Sequence, residues 1–73
     1  MTYFVVIADP AKSMIRVQPF RDQHAAMDTL FRAEREHAQD RVEVVLLVAE
    51  EEDDLRTTHA RIFKTLGQLL EPA

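Results

Sequence analysis

The chain has 73 residues, no cysteine and a formal net charge of −4 at pH 7. Its length predicts a single domain, residues 1–73, whose stability is marginal because a chain this short buries a smaller share of its surface than a larger one. The lack of cysteine excludes disulfides and thiolate metal sites. The acidic balance argues against direct nucleic-acid binding, because such binding depends on lysine and arginine.

Hydrophobic residues make up 47% of the chain and charged residues 30%, as in a folded globular domain. No apolar run is long enough to cross a bilayer, and no basic segment precedes an apolar run in the manner of a signal peptide. We therefore expect a cytoplasmic protein without membrane contact.

The first two elements predict a β-hairpin. Residues 2–8, TYFVVIA, are aromatic and β-branched, as in a buried strand. Asp9 and Pro10 favour a turn. Residues 13–18, SMIRVQ, alternate apolar and polar side chains, as in a half-exposed strand that Pro19 would end.

The pattern becomes helical from about residue 21 to residue 39, with Asp22 near the start, where its charge favours the helix dipole. Residues 42–49, VEVVLLVA, predict a third strand, and a second helix should run from about Asp53 to Leu70, with Gly67 as an early cap. The expected apolar stripe of the first helix comprises Ala26, Met27, Leu30, Phe31, Glu34 and Ala38.

The element order ββαβα predicts an α+β fold, a two-layer ββαβα sandwich whose three-stranded sheet has the order 2-1-3 and carries two helices on one face. Glu43 suggests that the side of the third strand with Val45 and Leu47 points outward. That face would then be apolar and bare. We expect association through it or edge-to-edge pairing, most simply as a homodimer; the alternative is that residues 69–73 fold back over it.

Five acids in a row, Glu50 to Asp54, follow the third strand. They could form a carboxylate cluster at the end of a strand. The simpler interpretation is a helix start, where unpaired amides and the dipole favour acidic side chains. No cofactor or metal is expected, because the chain has one glycine and no histidine spacing typical of a metal site.

His59 lies between Leu55 and Phe63 on the apolar stripe of the last helix, so we interpret it as a hydrogen-bonded core residue. With Arg56 it could instead contact an anion, which would indicate a small ligand-binding protein or an enzyme. We expect no catalytic residues, because no nucleophile has a neighbouring base.

Residues 42–63, VEVVLLVAEEEDDLRTTHARIF, resemble a group of short uncharacterised actinobacterial and mobile-element proteins. Those proteins combine a tyrosine-rich first strand, an EREH-like helical stretch and a close of the form Arg-x-Thr-His-x-Arg-aromatic-Phe. Ile62 departs from the aromatic residue of that pattern. The resemblance implies no known activity, only a mobile-element or phage-like setting. The matching residues are Tyr3, Glu34 to His37, Arg56, Thr58, His59, Arg61 and Phe63.

We therefore expect a small acidic, non-enzymatic protein-interaction or regulatory protein that pairs with itself and with an unknown protein partner. An alternative is an inhibitor that imitates nucleic acid, with Asp40 added to the acidic surface. A weaker alternative is a small ligand-binding protein or an enzyme that uses Arg56 and His59. The expected interaction residues are Glu43, Val45, Leu47, Glu51, Glu52, Asp53 and Asp54.

Overall fold

The computed structural model describes the backbone of residues 1–70 and the side chains of residues 1–68. Within that range the fold is α+β, with the element order ββαβαα. The strands are β1 (Thr2–Asp9), β2 (Met14–Phe20) and β3 (Glu43–Ala49), and the helices are α1 (Gln23–Glu36), α2 (Glu52–Thr58) and α3 (Ala60–Leu70).

The three strands form an antiparallel sheet of order β2-β1-β3, which confirms the predicted order 2-1-3. β1 takes the centre because its sequence is apolar on both sides. A single 3₁₀ turn joins β1 to β2, and the Asp9 carboxylate caps it by accepting the Ala11 backbone N–H at 3.1 Å. β2 runs past the expected end and includes Pro19, which an edge strand tolerates.

The main core lies between the sheet and the pair α2–α3. Leu55 of α2 and Leu66 of α3 are buried against one face of the sheet. This layer of helices on a sheet is the packing that the sequence predicts. The buried sheet residues of this core are Phe4, Val6 and Ala8 of β1 and Leu47 and Ala49 of β3.

α1 lies on the opposite face of the sheet. Val5 is fully buried, yet it points away from Phe4 because side chains alternate along a strand. α1 contacts all three strands, and its buried residues Ala26 and Ala33 do not belong to the α2–α3 core. The expectation that both predicted helices share one face, and that the other face is bare, is therefore corrected, because α1 shields the second face.

The orientation of β3 also differs from the expectation. Leu47, expected on an outer face, is only 6% exposed and packs in the α2–α3 core. Glu43 was a poor guide to the outer side because it is the first residue of the strand, and a long side chain at a strand end reaches water from either face. Glu43 is exposed, while Leu47 further along the same side is covered.

The apolar stripe of α1 is rotated from the predicted one. Phe31 is 50% exposed and Glu34 is exposed, while the buried positions are Ala26 and Ala33. These alanines are seven residues apart, about two helical turns, so they lie on the same side of the helix. α1 begins where expected, because the Asp22 carboxylate accepts the backbone N–H groups of residues 24 and 25 at 3.3 and 3.2 Å.

The predicted last helix is divided in two at His59. The Thr58 hydroxyl donates to the Asp54 carbonyl at 2.7 Å, a bond that bends helices. α2 ends at Thr58, and the His59 carbonyl accepts the first backbone bonds of α3 from Ile62 and Phe63. α3 then continues past Gly67, so that residue does not end the helix.

No helix among the described residues combines the length and apolar character needed to cross a membrane. The expected cover of the sheet by residues 69–73 concerns side chains that lie outside the described residues.

Candidate interaction site

β3 is an edge strand whose outer side has no partner within residues 1–70, where it pairs with β1 alone. Its sequence, EVVLLVA, has one charged residue in seven positions. Val45 and Leu46 are partly buried, and Val48 is 36% exposed. An apolar strand of this length with an open row of backbone N–H and C=O groups is a template for pairing with another chain.

The other edge strand, β2, is built differently. It contains Arg16, Gln18 and Pro19, and both a charged side chain and a proline are devices that prevent strands from pairing at an edge. β3 contains neither proline nor a charge beyond its first residue. The sequence of β3 is therefore that of a strand covered on both faces, and nothing in it after Glu43 opposes pairing at the open edge.

A groove runs beside β3 on the α2–α3 side of the sheet. Its volume is about 430 Å³. Val45, Ile62 and Leu66 supply the apolar surface, and Glu43 and Arg61 add one charge of each sign. A strand that paired with β3 would extend the sheet directly beside this groove.

The acidic run begins α2, as the simpler interpretation predicts. Glu52, Asp53 and Asp54 occupy the first turn, and the backbone N–H of Glu51 donates to the Asp54 carboxylate at 3.1 Å. Asp54 is partly buried, while residues 50–53 are exposed. Asp54 and Glu51 therefore have a structural role as the capping box of α2, and Glu50, Glu52 and Asp53 are exposed acids without such a role.

Asp40 and Glu43 lie at the opposite end of β3 from the acidic run, roughly 20 Å away along a strand of this length. Asp40 is hydrogen-bonded to His37, with 3.1 Å between the carboxylate oxygen and Nδ1, and this is the one ion pair among the side chains described. The acidic residues that were predicted to form one surface therefore lie in two separate patches.

Arg56 and His59 each have a structural neighbour. The Arg56 guanidinium lies 5.6 Å from the centre of the Phe63 ring, a cation–π arrangement. His59 is partly buried, and its Nε2 lies 3.4 Å from the Val48 carbonyl oxygen. The contact with Val48 favours the interpretation of His59 as a hydrogen-bonded packing residue.

Across the part of the chain that the structure describes, no three His, Asp or Glu side chains are placed together to hold a metal ion. Open surface depressions lie on the outer side of α1 and at the two ends of the sheet.

Sequence reasoning missed Arg41, Val44 and Leu46 as members of the candidate site. Val44 and Leu46 belong to β3, and Arg41 is an exposed residue two positions before the strand begins. A signal for them was present, because a strand apolar on both sides must be covered on both faces, and its edge is then its only open side.

Comparisons of the chain with protein-family models, with curated proteins and with solved structures find no match.

Proposed function

We propose that this chain is a non-enzymatic interaction protein that forms a homodimer by antiparallel pairing of β3 with β3 of a second copy. The observation that carries the proposal is the contrast between the two sheet edges. β2 carries Arg16 and Pro19, whereas β3 has the composition of a central strand. Pairing would produce a continuous six-stranded sheet of order 2-1-3-3-1-2.

The size of the chain supports this proposal. A domain of 73 residues without cysteine has a small core and no covalent cross-link, and oligomerisation is one of the usual remedies. Edge pairing would satisfy the open backbone groups of β3 and cover the partly buried Val44, Val45 and Leu46. Homodimers with twofold symmetry are the commonest assemblies of soluble proteins.

The test is the molar mass in solution, measured by size-exclusion chromatography with light scattering over a range of concentrations. We expect a dimer for the parent chain. Val45→Lys places a charge in the middle of the open strand and should give a monomer. Val17→Lys is the matched control, because Val17 is a partly buried residue of the opposite edge strand that contacts the same core.

A parent chain that stays monomeric throughout the concentration range contradicts the proposal. So does a Val45→Lys variant that folds and remains dimeric. Circular dichroism of both lysine variants establishes that they are folded. If Val45→Lys does not fold, Glu43→Pro at the first residue of β3 serves as the second edge-blocking variant.

A second candidate function is the imitation of nucleic acid by the acidic surface, directed at a basic protein. The observation that favours it is the exposure of four consecutive carboxylates, Glu50 to Asp53. Arrays of negative charge attract basic partners over long distances at low salt. The resemblance to mobile-element proteins agrees with this candidate, since such a setting suits a small inhibitor.

This second function predicts that a DNA-binding protein captured by the immobilised chain is released by salt and displaced by duplex DNA. A variant with Glu50→Gln, Glu52→Gln and Asp53→Asn should lose capture, while Asp54 stays in place because it caps α2. The control is Asp28→Asn with Glu34→Gln, two exposed acids of α1. Capture that survives the triple change, or that duplex DNA does not displace, contradicts the idea.

A further inference from the structure

We infer that the β3 pair has one specific register, in which Leu46 lies on the twofold axis and Arg41 of each copy forms an ion pair with Glu51 of the other. This inference rests on the proposed dimer and deepens it, because it names the residues that select the partner strand. In this register Val45 lies opposite Leu47, and Glu43 lies opposite Ala49. The occupant of the open edge is therefore a second copy of this chain.

Charge complementarity carries the inference. β3 is preceded by the exposed Arg41 and followed by the exposed Glu51, with an apolar run between them. Antiparallel self-pairing brings the beginning of one strand beside the end of the other. A strand with a base before it and acids after it is then complementary to its own copy, and the twofold axis makes the ion pair occur twice.

The side chains are exposed and can make this contact. Neither Arg41 nor Glu51 takes part in an ion pair among the described side chains. Glu51 is the N-cap of α2, with φ −135° and ψ 162°, and its side chain takes part in the capping box that begins the helix. A carboxylate accepts more than one hydrogen bond, so Glu51 can keep this contact and also accept from Arg41.

The neighbouring registers are electrostatically worse. Residues directly opposite in an antiparallel pair share a sheet face, so alternative axes pass through Val45 or Leu47. An axis through Val45 brings Asp40 opposite Glu50. An axis through Leu47 brings Glu43 opposite Glu51. Like charges directly across a strand pair are destabilising. The register centred on Leu46 also brings Asp40 level with Glu52, but Glu52 already belongs to α2 and has left the strand. Among the three registers, only this one places Arg41 opposite an acid that precedes α2.

Charge reversal tests the ion pair. Arg41→Glu alone and Glu51→Arg alone each place two like-charge contacts in the dimer, so each should raise the dimer dissociation constant by about tenfold to hundredfold. An equimolar mixture of the two variants should form a heterodimer with parental affinity, because each charge then faces its opposite. The double variant Arg41→Glu/Glu51→Arg should dimerise again on its own.

The two rescues separate an ion pair from a folding defect. If the single variants dimerise as the parent does, or if neither the mixture nor the double variant recovers, the register is overturned while the edge-paired dimer stands. If the parent chain is a monomer, the proposed function and the register fall together. Light scattering supplies both measurements, and added salt should weaken the parental dimer, because an exposed pair is screened.

The axis has an independent test, because the chain has no cysteine. Leu46→Cys places two thiols opposite each other across the twofold axis, so mild oxidation should give a covalent dimer on a non-reducing gel. Val44→Cys is the matched control, because Val44 lies opposite Val48 and the two added thiols would be four residues apart, roughly 13 Å. Cross-linking through Val44 and not through Leu46 overturns the register.

Discussion

His59 Nε2 lies 3.4 Å from the carbonyl oxygen of Val48, eleven residues earlier in the chain. The contact connects the residue between α2 and α3 to the penultimate residue of β3. It also explains why a polar residue lies on an otherwise apolar helical stripe. The partly buried side chain contacts a backbone carbonyl oxygen of β3.

The first prediction concerns this histidine. His59→Leu removes one long hydrogen bond to a carbonyl that water can reach, so the free energy of unfolding should fall by about 1 kcal/mol or less. Urea denaturation followed by circular dichroism, at equal protein concentration, measures the difference. A variant that folds normally but loses binding of an anionic ligand would instead support the ligand-binding interpretation of Arg56 and His59.

The second prediction tests which side of β3 faces the core. Leu47→Ala should lower the free energy of unfolding by about 2–5 kcal/mol, because it leaves a cavity beneath α2 and α3. Val48→Ala is the control and should have an effect of about 1 kcal/mol or less, since Val48 is 36% exposed. Thermal and urea unfolding measure both. If Leu47→Ala weakened dimerisation without loss of stability, Leu47 would belong to an interface after all.

The third prediction separates capping from surface charge within the acidic run. Asp54→Ala leaves the Glu51 backbone N–H without its acceptor and should lower the free energy of unfolding by about 0.5–2 kcal/mol, the range for helix caps. Asp53→Ala removes an exposed charge that affects only the helix dipole, about 0.3–1 kcal/mol. Equal effects in chemical denaturation would show that the capping bond adds nothing.

The fourth prediction is a stabilising change. Gly67 lies inside α3, and a Cβ at this position would meet no atom within 4 Å. Gly67→Ala should therefore raise the free energy of unfolding by about 0.5–1 kcal/mol, because glycine is a poor helix former. Differential scanning calorimetry would register a higher melting temperature. A lower one would mean that glycine is needed at this point of the chain.

Much of the fold could be predicted from local patterns. The apolar sequence of β1 indicated a central strand, and Asp9 with Pro10 indicated the turn into β2. Asp22 indicated the start of α1, where its carboxylate caps two backbone N–H groups. Each of these features depends on residues close together in the chain, and local rules describe such features well.

The sequence did not predict which face of the sheet each helix covers, because amino-acid composition carries no signal for it. Ala26 and Ala33 form the buried side of α1, and alanine contrasts too little with its neighbours to mark a helix face. Phe31, the largest apolar residue of α1, is half exposed. The division of the last helix at His59 had no signal in the apolar pattern: Thr58 donates to the Asp54 carbonyl just before the break, but Thr65 makes the same kind of bond inside α3 without dividing it. The candidate site moved from a sheet face to a sheet edge because α2 and α3 cover the face with Val45 and Leu47, and α1 covers the other face.

The difference between the two edges also limits how far the chain can assemble. If both edges were open, each added copy would offer a new edge, and strand pairing would continue without end into fibrils. In the proposed dimer, pairing through β3 would use the one permissive edge, and the two copies of β2 would form the outer strands. Pro19 and Arg16 of β2 oppose further pairing, so the proposed dimer would be closed and would not seed aggregation.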